Sequence, residues 1–142
     1  MVGLRCVPED ETGLDGLALR TWTRLAAEPS GLVDLSRANG LRDGRNTVFA
    51  RTSIRSPRAQ TVALELGFSD RALVYLNARV LYRGDDAYRS RDYRFLGSIG
   101  YYDTLYLPLE EGENELVVAV SEDFGGWGVR ARFPAAADVA FA

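Results

Sequence analysis

The sequence predicts an all-β fold, an antiparallel β-sandwich or jelly roll of about eight short strands. Three observations predict it. Apolar and polar residues alternate over short runs. Turn residues recur about every eight to twelve positions. No long amphipathic helix and no internal repeat interrupts the pattern. The 142 residues are the size of one domain. A chain of that length buries roughly 68–70% of the surface it exposes when unfolded. With 46% hydrophobic and 26% charged residues, it belongs to the globular class.

The strands can be justified in order. Residues 1–16 read as a flexible leader, marked by Pro8, Gly13, Gly16 and the acidic cluster Glu9, Asp10 and Glu11. The sandwich domain is expected over 17–134. It opens with "LALRTWTRLA", where Leu17, Leu19, Thr21, Thr23 and Leu25 share one face. A punctuated stretch follows, with a short strand expected near Leu32 to Leu35 and one helical turn after Asp34. "NTVFARTSIRS" puts Val48, Ala50, Thr52 and Ile54 on one face. "TVALELGF" does the same with Val62, Leu64, Leu66 and Phe68. Ala72 to Leu76 and Arg79 to Tyr82 form a hairpin that turns at Asn77-Ala78, since Asn tolerates the left-handed conformation. After a polar, aromatic loop come "TLYLPL", a turn at "EEGEN", then "ELVVAV" and "GVRARF". Residues 135–142 read as a mobile or weakly docked tail.

Composition narrows the chemistry. All 17 basic residues are Arg, and there is no His. The chain therefore lacks the commonest general base and the commonest nitrogen ligand for zinc. Arg suits bidentate contacts to carboxylates and stacks on rings. The net charge of −3 argues against a nucleic-acid module, which is usually basic. Cys6 is the only cysteine, so no intrachain disulfide forms. The start of the chain lacks the basic and apolar run of a signal peptide, and no apolar run reaches membrane-span length.

From Asn46 onward the features fall in a familiar order. Val74, Leu76 and Asn77 match the V, L and N of "V-x-L-N-G", with Ala78 where Gly is usual. Leu109, Gly112, Asn114, Leu116, Val118 and Val120 match "L-x-x-G-x-N-x-L-x-V-x-V". This run resembles the galactose-binding-like β-sandwich, which includes the sugar-binding domain of family 2 glycoside hydrolases and many carbohydrate-binding modules. The resemblance covers roughly Thr47 to Phe133. It implies an accessory role without catalytic carboxylates.

The segment "YRSRDYRFLGSIGYYD" is the expected binding element. It interleaves Arg89, Arg91 and Arg94 with Tyr88, Tyr93, Phe95, Tyr101 and Tyr102, and adds Asp92. Rings pack on the apolar face of a pyranose, and Arg and Asp bond hydroxyls or a carboxylate. The named candidates are Arg89, Arg91, Asp92, Tyr93, Tyr101 and Tyr102. The same residues could instead fold over the sandwich edge or anchor a protein interface.

Other candidates read as structural. Asp70 is expected to accept bonds from backbone N–H groups or an Arg. Asn77 and Asn114 bond turn backbone, and Gly112 supplies positive φ. Trp127 shares a face with Val129, Ala131 and Phe133, opposite Arg130 and Arg132. That favours burial over a surface platform. No cofactor is expected. Structural calcium is a minor alternative at Asp85, Asp86 and Asp92 or at Glu110, Glu111 and Glu113, because calcium needs six or more converging oxygens. A glycoside hydrolase would need two facing carboxylates about 5–10 Å apart. Nothing selects such a pair among Asp70, Asp92, Asp103, Glu122 and Asp123. The sequence thus points to a non-catalytic accessory module that binds glycan. The alternative is a structural or oligomerisation domain that meets another chain or belongs to a larger protein.

Overall fold

The computed structural model describes residues 3–8, 14, 16–17, 21–39, 46–87 and 98–142. Two antiparallel sheets face one another. The larger contains β1 (Gly3–Pro8), β2 (Thr23–Ala26), β4 (Thr47–Ser56), β6 (Arg71–Leu76), β7 (Arg79–Asp85), β9 (Gly112–Ser121) and β11 (Ala140–Phe141). The smaller contains β3 (Val33–Asp34), β5 (Gln60–Ser69), β8 (Asp103–Leu109) and β10 (Gly128–Arg132). A single helical turn, α1 (Ser36–Asn39), follows β3. The large sheet runs β2-β1-β4-β9-β6-β7, with β11 also on β4; the small one runs β3-β10-β5-β8.

Alternation builds the core. Val62, Leu64, Leu66 and Phe68 of β5 point inward with Leu105, Leu107 and Leu109 of β8 and Val129 and Ala131 of β10. They meet Val48, Ala50 and Ile54 of β4, Val74 and Leu76 of β6, and Leu116, Val118 and Val120 of β9. The run Leu116–Val120 is buried at every position. Such a continuous apolar run marks a strand covered on both faces. The second cover is a smaller cluster on the outer face of the large sheet. There Phe49, Val117 and Ala119 pack with Leu14, Leu17, Trp22, Leu73 and Tyr75.

Three expectations change. Gly3–Pro8, within the segment expected to be a flexible leader, is a strand that pairs with both β2 and β4. Its inward residues Leu4 and Cys6 are buried. Ala140–Phe141, within the expected tail, pairs with β4 at Arg55 and Ile54, and Phe141 stacks on Phe133 at 4.6 Å. The strand expected from Leu17 begins only at Thr23. Leu17 sits in a tight turn whose N–H donates to the Leu14 carbonyl at 3.2 Å. The eleven strands among the described residues exceed the expected eight because tertiary pairing recruits short segments that carry little pattern of their own.

The β6–β7 hairpin turns at Asn77 and Ala78, with φ of 49° and 64°. Both values suit a two-residue type I′ turn, so Ala78 occupies a position where Gly is favoured. Asn114, fully buried, locks this tip to the β8–β9 connection. Its Oδ1 accepts from the Glu110 N–H at 2.8 Å and from Asn77 Nδ2 at 2.9 Å. Its Nδ2 donates to the Glu110 carbonyl at 2.9 Å. Asn77 Oδ1 in turn accepts from the Glu115 N–H at 2.9 Å. Gly112 beside it has a φ of 97°.

Candidate functional site

Of the expected ligand contacts, Arg89, Arg91, Asp92 and Tyr93 lie outside the described residues. From Ser98 the chain runs over the outer face of the four-stranded sheet. Glycines make this seating. A Cβ on Gly67 would stand 1.7 Å from the Gly100 carbonyl oxygen, so the backbone of the returning segment rests on the backbone of β5. A Cβ on Gly128 would meet Ile99 and Leu32 side chains at 2.9 Å.

Tyr101 is held where the segment meets β10. The Arg130 and Arg132 guanidiniums each lie 4.1 Å from its ring centroid. Arg130 also donates from Nη1 to the Ile99 carbonyl at 3.2 Å and from Nη2 to the Ser30 carbonyl. Arg132 donates from Nε to Glu65, its cross-strand partner, and this bond pushes the Arg132 pKa upward. The ring of Tyr101 is therefore engaged by protein cations. Tyr102 is different. It is 40% exposed, and its hydroxyl lies 2.9 Å from Ser98 Oγ. Tyr106 of β8 is a further exposed ring on this sheet, at 68%. Alternation could have found Tyr106, because it faces away from buried Leu105 and Leu107. Arg130 and Arg132 were legible as the polar face of β10, but not as partners of Tyr101.

Asp70 holds the same end of the sandwich from inside. It is buried, and the Ser69–Asp70 peptide is cis. Its Oδ2 accepts from the Asp123 N–H at 2.6 Å and the Phe124 N–H at 2.7 Å, and its Oδ1 accepts from Ser69 Oγ at 2.9 Å. Its own N–H donates to the Ser121 carbonyl at 2.9 Å, and its carbonyl accepts from the Asp86 N–H at 2.7 Å. The result fixes the backbone of the 122–126 connection while leaving the Phe124 side chain 84% exposed. Trp127, which ends that connection, is 6% exposed and donates from Nε1 to the Val120 carbonyl at 3.0 Å. Gly125, at a φ of 108°, supplies the turn that precedes it.

Among the described residues no cluster of three or more His, Cys, Asp or Glu could hold a metal ion, and no helix is long and apolar enough to cross a membrane. Cys6 is fully buried, and burial pushes its thiol up to about 12.

The sequence matches no family model and no curated protein. Solved structures do share the fold. A beta-glucosidase from Kluyveromyces marxianus superposes with a TM-score of 0.59 and 17% identity, over 96% of this chain and 16% of that one. A GH2 beta-galacturonidase from Eisenbergiella tayi bound to galacturonate gives 0.55 and 13%, over 92% of this chain and 23% of that one. An anti-sigma factor domain-containing protein from Clostridium clariflavum gives 0.52 and 12%, over 96% and 44%. The chain thus spans less than half of each of these proteins. The superpositions show a β-sandwich fold that this chain shares with part of each of these proteins.

Proposed function

We propose that this chain is a non-catalytic accessory module that holds carbohydrate at the loop end of its four-stranded sheet. The ligand contacts are assigned to the Arg/Tyr segment, with Arg89, Arg91, Asp92 and Tyr93 in its body and Tyr101 and Tyr102 at its anchored end. One observation carries the reading. The segment returns onto the sheet through a backbone-to-backbone seat at Gly67 and Gly100, which leaves Tyr102 exposed beside a fixed arginine–tyrosine stack. A preorganised aromatic surface with guanidiniums nearby suits a ring that carries hydroxyls. Sandwiches of this shape in a beta-glucosidase and in a beta-galacturonidase bound to galacturonate support the ligand class. The one buried carboxylate among the described residues, Asp70, is occupied by backbone N–H donors, in keeping with a non-catalytic role.

The test is a glycan array followed by calorimetry on the wild type and on Tyr102→Ala and Arg91→Ala. Binding that both variants weaken supports the reading. Absence of binding to every neutral and acidic glycan would overturn it.

A protein-interaction role is favoured by a separate observation, the exposed Phe124 on a backbone pinned by Asp70. A rigid exposed aromatic is a common interface anchor. Sedimentation across concentration, with Phe124→Ala as control, decides it: self-association lost in the variant supports this role, and a monomer at every concentration removes the oligomerisation form of it.

A further inference from the structure

The outer face of the seven-stranded sheet carries a trough that the loop-side reading does not use. It encloses about 510 Å³ and is lined by residues of β4, β6, β7 and β9. That volume falls within the range of small-molecule sites. Strand register arranges this part of the sheet face in three rows, of which the third reaches the trough only through Tyr75. The first is Thr47, Ser121, Arg71 and Asp85. The second is Phe49, Ala119, Leu73 and Arg83. The third is Arg51, Val117, Tyr75 and Val80. Ala119 is the small residue between Phe49 and Leu73 in the second row.

The chemistry of the rows is graded. The second and third supply an apolar floor from the half-buried Leu73 and Tyr75, bordered by the buried cluster of Phe49, Val117 and Ala119 that Leu14, Leu17 and Trp22 cover. The first supplies hydroxyls and charge. Thr47 Oγ1 and Ser121 Oγ lie 2.8 Å apart, and Arg71 pairs with Asp123 at 2.6 Å and Asp85 at 3.5 Å. Both carboxylates push the Arg71 pKa upward, Asp123 first. Arg83, at the end of the apolar row, is exposed, and its guanidinium has no hydrogen bond or ion pair among the described residues. An apolar floor beside a hydroxyl-lined edge fits one face of a pyranose. An unspent planar guanidinium at its margin fits a carboxylate.

We infer that this trough is a second ligand site, for an acidic oligosaccharide whose sugar ring lies on Tyr75 and Leu73 and whose carboxylate meets Arg83. The inference rests on the carbohydrate class proposed above but places the ligand on the opposite sheet. The ring covers the apolar floor, its hydroxyls exchange bonds with Thr47 and Ser121, and Arg83 sets the preference for a uronate over a neutral sugar.

The test titrates tetragalacturonate and cellotetraose into the wild type, Arg83→Ala, Arg83→Glu and Tyr102→Ala, with calorimetry and amide chemical shifts. Arg83 is exposed, so its variants retain the fold, and circular dichroism checks this. The expected result is that uronate shifts the Leu73 and Ala119 amides, that these shifts need about ten- to hundred-fold more ligand in Arg83→Ala and vanish in Arg83→Glu, and that they persist in Tyr102→Ala whatever that variant does to total binding. Equal Leu73 and Ala119 shifts in wild type and Arg83→Glu would overturn the inference, as would a uronate that leaves those amides unmoved in the wild type. Leu73 and Ala119 shifts that disappear in Tyr102→Ala but persist in Arg83→Glu would also overturn it, while leaving the loop-side site standing.

Discussion

Ala78 carries the clearest local conflict in the chain. Its φ of 64° suits glycine, and an L side chain there costs about 1 kcal/mol. Ala78→Gly should raise the urea midpoint by about that much stability, with the slope unchanged. Asp70 makes the opposite case, a single side chain that organises a whole connection. Asp70→Ala leaves the N–H groups of Asp123 and Phe124 without their acceptor. The variant should lose about 3 kcal/mol, and those two amides should exchange faster than the rest of the sheet. Asp70→Asn retains a carbonyl acceptor and should lose less. If Asp70→Ala melts like the wild type, the carboxylate does not hold this connection.

The contact between β5 and the returning segment decides whether a binding surface exists on the small sheet. Gly67→Ala places a methyl group where the Gly100 carbonyl now sits. The segment should lift, and the stack of Tyr101 on Arg130 and Arg132 should come apart. Hydrogen exchange should therefore rise over 98–102, with the β5–β8 ladder kept. Glycan binding that survives this change would separate the ligand site from the seat. The same contact shows where sequence reading stops. Val62, Leu64, Leu66 and Phe68 reveal β5 because their alternation is local. Nothing local says that Gly67 faces Gly100, or that the ring of Tyr101 meets arginines from β10, because those partners are distant in the chain. β1 is hidden for a related reason. Only Leu4 and Cys6 mark its inner face, Pro8 ends it, and its strand character comes from β4. β11 offers two residues and borrows its place from the same strand.

At the scale of the molecule, β9 is the spine. It is covered by the main core on one face and by the cluster of Phe49, Trp22 and Tyr75 on the other. That double cover was readable in the unbroken run Leu116–Val120. What covers the outer face was not, since Leu14, Leu17 and Trp22 arrive from the start of the chain. The buried thiol of Cys6, with its pKa pushed to about 12, gives this architecture a built-in clock. A thiolate is the reactive species, so alkylation of Cys6 at neutral pH must wait until β1 leaves the sandwich. β1 is bounded on one side by the four-residue β2, so that edge should peel before the spine opens. The urea dependence of iodoacetamide capture should then be shallower than the slope of global unfolding. Equal slopes would mean that the first strand and the spine part only together.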